Sequence, residues 1–399
     1  MNYFYIRTVV FFFSCMMSFS VSAFSLFSSK EKSSQLVAYD PFEELIGIKE
    51  QQFFNDYGFS DAGKEFLQKK LQGKQGEFYV KRVEPFQDNS LPNTIGLSKS
   101  ALRFSIVEGG ENPTGKSFQK NVDVTALQAA SENNGAVFQV ASNLSCLESG
   151  GTKQERITHY CGARAQGQLC ALSALPGTID RMYVQPSVSL LARFNWQGPI
   201  VYTAGKFPRV PDLESRFKNM SYDDIRHAAE TMSVGVQRNV CVTSGLRDFS
   251  NGVFTAVPVQ GSDQRITQVF TAALDPYNND ETKAGFENLA RILLHGAYKG
   301  TFDVVREVGA KKLFSTLVGG GVFQNKYYWI ADAIRAACMD FPKNSSQGPL
   351  EVTLVLYYIF PADKQEEDWR MAEYVLKDLV YQTGGTWTRY STKGIKKIV

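Results

Sequence analysis

The stretch KLFSTLVGGGVFQN, residues 312–325, joins two patterns that decide the fold. Residues 312–318 form a short apolar run that reads as a buried strand. Beyond the loop, Trp329, Ile330, Ala333, Ile334, Ala337 and Cys338 recur along one helix face. Three glycines separate the two. Lacking Cβ atoms, they let the backbone take positive φ and let a ligand approach the amides closely. A strand that passes through such a loop into a helix has the geometry of an anion site. The helix N-terminus contributes about 0.3–2 kcal/mol for a fixed anion, and each hydrogen bond to a charged acceptor adds about 1.5–3 kcal/mol. A tight turn holding nothing is the plain alternative.

Outward from this stretch, strand-like runs occupy residues 136–141, 181–184, 236–243, 266–274, 313–318 and 352–360, and helical patterns occupy 286–309, 328–339 and 368–382. Strands separated by helices imply an α/β protein whose sheet is largely buried, with helices on both faces. Turn formers surround one apolar segment, residues 102–107, which suggests irregular structure or a hairpin leading into the main domain. Between Pro41 and Leu71 apolar residues recur at helical spacing, and Ser60 with Asp61 can cap a second helix. The expected organisation is a signal peptide at 1–23, a serine- and lysine-rich leader at 24–40, an N-terminal helical region at 41–100 and an α/β domain at 101–399.

The signal is read from Arg7, a short apolar run at 9–20 and the small residues Val21, Ser22 and Ala23. The run is short for a spanning helix, which needs about 20 apolar residues, and no membrane span is expected after signal removal; a retained anchor is the alternative. The 399 residues are 43% hydrophobic, enough to bury a large core, and carry a net charge of only +3 from 43 basic and 40 acidic residues. No footprint for polymeric nucleic acid stands out. Beyond Ala23 the cysteines are Cys146, Cys161, Cys170, Cys241 and Cys338, with no close CxxC pair, and the three histidines are far apart, so neither a disulfide scaffold nor a metal site is indicated. The chain has no GxxxxGK[ST] motif, and its triple glycine lacks the GxGxxG spacing of dinucleotide-binding loops.

Three segments together resemble the macro domain, the ADP-ribose-binding module, in a divergent branch near the poly(ADP-ribose) glycohydrolases. Val122-Asp123-Val124-Thr125 resembles the GDIT-type element whose acid receives the adenine amino group, which implies Asp123 as the adenine contact with Val124 beside it. VFQVASN, residues 137–143, resembles the IVNAAN strand and turn, which implies that Asn143 meets the distal ribose. The loop Gly319-Gly320-Gly321-Val322-Phe323 resembles the second phosphate loop, with Phe323 as the aromatic that covers ribose and phosphate. The resemblance spans roughly residues 121–360 and implies a three-layer α/β/α, macro-domain-like mixed sheet with an added N-terminal helical region. ADP-ribose, free or on a modified protein, is the implied partner; no cofactor is.

The departures concern the first phosphate loop, for which Leu144 to Gly151 and Gln166 to Ala171 both offer themselves, and the paired glutamates of the glycohydrolase signature, since no glutamate follows Gly321 before Glu351. The sequence looks closer to bacterial effector branches that remove single ADP-ribose groups from proteins, which suits an exported protein acting in a periplasm, outside the cell or in a host. Hydrolysis at the proximal ribose needs a carboxylate at the pocket rim. Glu148, Asp275 and Asp280 are candidates, and the carboxyl ends of strands favour the first two; ordinary turn chemistry is the alternative for each. Asn325 is expected to cap the helix near Tyr328, or to reach a ribose hydroxyl.

Overall fold

Three short helices open the described chain: α1 (Pro41–Ile46), α2 (Glu50–Asp56) and α3 (Asp61–Leu71). Asp40 accepts from the amides of Phe42 and Glu43 and Ser60 from that of Gly63, so α1 and α3 start on side-chain caps, as expected at Ser60. The structure, a computed structural model, describes residues 40–87, 101–109, 121–148, 156–161, 166–186, 188, 190, 213–248, 255–259, 263–275, 284–321, 323–342, 348–357, 363–391 and 394–399. The expected signal peptide, Val322 and Asp280 lie outside these residues, as does the leader up to residue 39.

Then follow β1 (Glu77–Arg82), β2 (Leu102–Gly109), α4 (Val124–Ala129), β3 (Val137–Ala141), α5 (Ile157–Tyr160), α6 (Gln166–Ser173) and α7 (Leu175–Ile179). A single π-turn, Asp180–Val184, continues α7. After it come α8 (Leu213–Phe217), α9 (Tyr222–Ala229), β4 (Ser233–Cys241), the small hairpin β5 (Ser244–Asp248) and β6 (Thr255–Pro258), and β7 (Arg265–Thr271). The chain closes with α10 (Ala284–Val308), β8 (Lys312–Ser315), α11 (Tyr327–Asp340), β9 (Leu350–Leu356), α12 (Glu367–Thr383), β10 (Trp387–Ser391) and β11 (Gly394–Lys397).

Nine strands form one mixed sheet in the order β1-β4-β7-β3-β8-β9-β2-β10-β11. From β7 through β10 the neighbours run parallel, while β4 opposes β7 and β11 opposes β10. Alternation along the strands divides the core into layers. Val137, Val269 and Leu313 pack on one side with α9, α10, α11 and α12; Phe138, Phe270 and Phe314 pack on the other with Val124 of α4 and Leu169 of α6. The architecture is therefore a three-layer α/β/α sandwich. Phe138 and Phe314 stack at 4.6 Å between ring centroids, an arrangement that adds about 0.5–1.5 kcal/mol beyond area burial. A third cluster joins α1–α3 to α5, α7 and the π-turn through Phe42, Phe53, Leu67, Ile157 and Tyr183.

Three readings are corrected. Residues 181–184 are the π-turn, not a strand: a short apolar run cannot be told from a buried helix end by periodicity. Leu102–Gly109 is a full parallel strand between β9 and β10, its alternating burial matching a sheet interior. Within the stretch read as helical at 41–100, β1 joins the sheet by pairing with β4.

Candidate functional site

Because β3, β7 and β8 are parallel neighbours, their carboxyl ends share one edge of the sheet, where ligands of open α/β folds gather. Inside β3, Gln139 is buried. Its amide donates to Thr301 (3.2 Å) and its carbonyl accepts from the Ser315 hydroxyl (2.6 Å), which ties β3 to the end of β8. One strand end further, the Ser142 amide donates to the Thr271 carbonyl at 2.8 Å, holding the β3 turn against β7. Asn143 follows, half-buried. Its amide donates to Leu147 and its carbonyl accepts from Cys146, which takes φ 62°, so a tight turn carries the asparagine.

The glycine loop is suspended from Tyr298, whose hydroxyl donates to the Thr316 carbonyl (2.7 Å) and accepts from the Val318 amide (3.0 Å). Gly319 has φ 79°, and a Cβ built there would stand 2.4 Å from that of Ala273. The loop thus reaches across β3 to the residues beyond β7. Asn325, 3% exposed, closes it: its side-chain amide donates to Leu274 (2.8 Å) and its backbone amide to Gly319 (3.0 Å), while Oδ1 has no partner. Phe323 is half-buried and packs against both faces' cores.

Asn325 does not cap α11. That role belongs to Asp368 at the start of α12, which accepts from the amides of Tyr327 (2.7 Å) and Tyr328 (3.2 Å). A carboxylate from another helix therefore already satisfies two amides of this N-terminus. Among the described residues, the amides of Gly319 and Gly321 donate to no protein acceptor. A Cβ at Gly321 would meet nothing within 4 Å, whereas one at Gly320 would press on Ile330 and Tyr327 at 3.1 and 3.2 Å. Gly321 therefore faces the open side and Gly320 the protein. Replacing Asp368 by alanine is expected to cost about 1 kcal/mol, within a range of about 0.5–2, in urea denaturation.

Asp123 is 2% exposed and caps α4, its Oδ1 accepting from the Thr125 amide (2.8 Å) and hydroxyl (2.5 Å). Val124 packs into the core beneath α4. The far end of α4 is tied to the start of β7 through Gln264, which donates to Gln128 and Ala130; Asp123 stands at the opposite end of the helix. Asp275 is buried directly after Leu274, the residue that receives Asn325. The structure therefore brings Gly319 and Asn325 to Ala273 and Leu274, next to Asp275 in the chain, while Asn143 follows the parallel neighbour β3.

Glu148 is held differently. Its side chain is 2% exposed and pairs with Arg181 at 3.4 Å. Arg181 also donates to the Cys146 carbonyl (3.2 Å), Gln237 (3.4 Å) and Thr178 (3.3 Å), and lies 3.7 Å over the Phe270 ring. Among the described residues, Oε2 of Glu148 has no partner, nor have the side-chain amide atoms of Gln166. Gly167, in the first turn of α6, packs on the Ala141 carbonyl and on Cγ of Glu148, so the second candidate for the first phosphate loop is a helix start at the end of β3. Burial acts on both partners of the pair. The guanidinium, much the stronger base, keeps its proton, and burial pushes the Glu148 carboxyl up to about 7, with Arg181 pulling it back. A folded carboxyl above the unfolded value of about 4.3 favours the fold below about pH 4, and this contribution is lost as pH rises through about 7. Arg181→Met should raise the Glu148 titration further, read from its carboxyl ¹³C shift.

No protein-family model matches the chain, and no curated protein matches it. Solved structures do resemble it. Two of them are poly(ADP-ribose) glycohydrolases. One, from Thermomonospora curvata with the inhibitor ADP-HPD, is 14% identical, with a TM-score of 0.39 over 75% of this chain and 86% of its own. Another, from Deinococcus radiodurans with ADP-ribose, is 11% identical, with a TM-score of 0.39 over 76% of this chain and 96% of its own.

Sequence reading alone misses Arg181 and Asp368. Arg181 sits in a run that mimics a strand, and Asp368 acts on a helix start 41 residues away; neither leaves a local signal. Among the described residues no group of three His, Cys, Asp or Glu could hold a metal ion, and no helix is long and apolar enough to cross a membrane.

Proposed function

We propose that this chain binds ADP-ribose at the carboxyl ends of β3, β7 and β8 and hydrolyses the glycosidic bond that joins a single ADP-ribose group to a modified protein. One observation carries the reading: Gly319 and Gly321 present unpaired amides on a loop whose following helix is already capped by Asp368. Such amides suit a diphosphate, since each bond to a charged acceptor adds about 1.5–3 kcal/mol. In this reading Asp123 takes the adenine amino group, Asn143 orients the distal ribose, Phe323 covers it, and Asn325 holds the loop against Leu274.

For the chemistry, Glu148 in its protonated form gives its proton to the leaving group as the anomeric C–O or C–N bond breaks. The carboxylate so formed then accepts a proton from the water that adds to the anomeric carbon. A carboxyl titrating near neutrality serves both steps. Asp275, at the end of β7, is the second candidate to hold the water. The N-terminal residues add export to this proposal, with action in a periplasm, outside the cell or in a host.

Calorimetry with ADP-ribose, run beside release of label from a mono-ADP-ribosylated protein, tests the reading: saturable heat and free ADP-ribose are expected, and the absence of both refutes it. The burial of Glu148 favours one second reading, a non-catalytic ADP-ribose reader; binding without release would select it.

A further inference from the structure

The helices α1–α3 lie outside the resemblance to macro domains, yet one of their side chains reaches the π-turn that carries Arg181, the partner of Glu148. Glu50, the first residue of α2, is 1% exposed. Its Oε1 accepts from the Ile157 amide (2.8 Å) and from the Tyr183 hydroxyl; its Oε2 accepts from the Thr158 amide (3.0 Å) and hydroxyl (2.8 Å). One buried carboxylate thus satisfies the first turn of α5 and the π-turn together. Around it, Arg156 donates to Gln51 and lies 5.0 Å over the Phe54 ring, and Phe53 and Phe54 pack on Tyr183 at 6.1 and 5.2 Å.

Tyr183 stands two residues from Arg181 on the same π-turn, and Arg181 holds Glu148. One π-turn is therefore bonded to Glu148 through Arg181 and to Glu50 through Tyr183. Bonds to a charged acceptor are the strong kind, and leaving several buried donors without their acceptor is costly. π-turns within helices often sit at functional sites, where they aim side chains that a regular helix would turn away.

We propose that Glu50 is a positioning residue: its carboxylate fixes the π-turn through Tyr183, and Arg181 on the same π-turn in turn holds Glu148 in place. The proposal rests on the hydrolase reading above. In the full chain, Glu50→Gln keeps the size of the side chain but presents an NH₂ group to donors. It should lower kcat at least about tenfold while ADP-ribose affinity, set by the untouched glycine loop, stays within about twofold. Tyr183→Phe removes a single donor and should give a smaller fall in kcat with the fold intact. Amide hydrogen exchange at Ile157 and Thr158 should quicken in Glu50→Gln while the glycine loop keeps its wild-type rates. Unchanged kcat in both variants, or kcat and affinity falling together, overturns the proposal. If wild-type protein neither binds nor cleaves, the hydrolase reading has failed on its own; the exchange rates then decide the clamp, and unchanged protection at Ile157 and Thr158 overturns it.

Discussion

Gly319→Val is expected to weaken ADP-ribose binding at least about a hundredfold and to destabilise the fold by several kcal/mol. The backbone at Gly319 is left-handed, φ 79°, which costs a side-chain-bearing residue about 1–2 kcal/mol. The new Cβ would also start 2.4 Å from that of Ala273, and overpacking of this kind costs about 1–3 kcal/mol more. Relief requires the loop to lift from the end of β7, which breaks the bond between Asn325 and Leu274 and moves both amides assigned to the diphosphate. Two such bonds at about 1.5–3 kcal/mol each exceed the 2.7 kcal/mol or so that a hundredfold represents. Gly321→Ala is the control, because its methyl group enters open space. Stability should hold within about 0.5 kcal/mol, while affinity falls because the methyl stands in the ligand's path. Chemical denaturation and calorimetry on the two variants separate loop collapse from ligand exclusion. Gly319→Val with wild-type affinity would remove the loop from the site.

The second large effect concerns turnover. Glu148→Gln should lower kcat by about 10²–10⁴, the range for removing a general acid or base. Stability below about pH 7 should hold within about 1 kcal/mol, because glutamine presents Arg181 with the same neutral carbonyl acceptor as the protonated carboxyl, and Arg181 keeps its bonds to Cys146, Gln237 and Thr178. The double variant Glu148→Gln/Arg181→Met should leave turnover low, because the acid is still absent. Turnover near wild type in either variant would show that Glu148 acts only as a structural partner of Arg181.

Local pattern explains what could be read in advance. The strand at Lys312–Ser315 and the helix at Tyr327–Asp340 are legible because an apolar run meets a helical repeat across three glycines, and the long α10 because its apolar stripe persists over many turns. That Asn143, Asp275 and the glycine loop follow the carboxyl ends of neighbouring strands comes from parallel strands sharing an edge. What resists reading is the action of one segment on another. Asn325 has the residue type and place of a helix cap, but the cap comes from Asp368, leaving Asn325 to fasten the loop to Leu274. Glu148 reads as a rim acid by its distance from Asn143, and only the fold discloses the guanidinium laid against it. The π-turn reads as a strand because burial of Arg181, Tyr183 and Val184 is set by partners in α2, β4 and β7 that no local window contains.

The amide ¹H–¹⁵N resonances of Gly319 and Gly321, followed during titration with ADP-ribose, test the central claim most directly. Both should shift downfield and saturate together as the unpaired donors acquire phosphate oxygens. Resonances that stay in place while ADP-ribose saturates the protein, or a titration that moves no resonance at all, would contradict it.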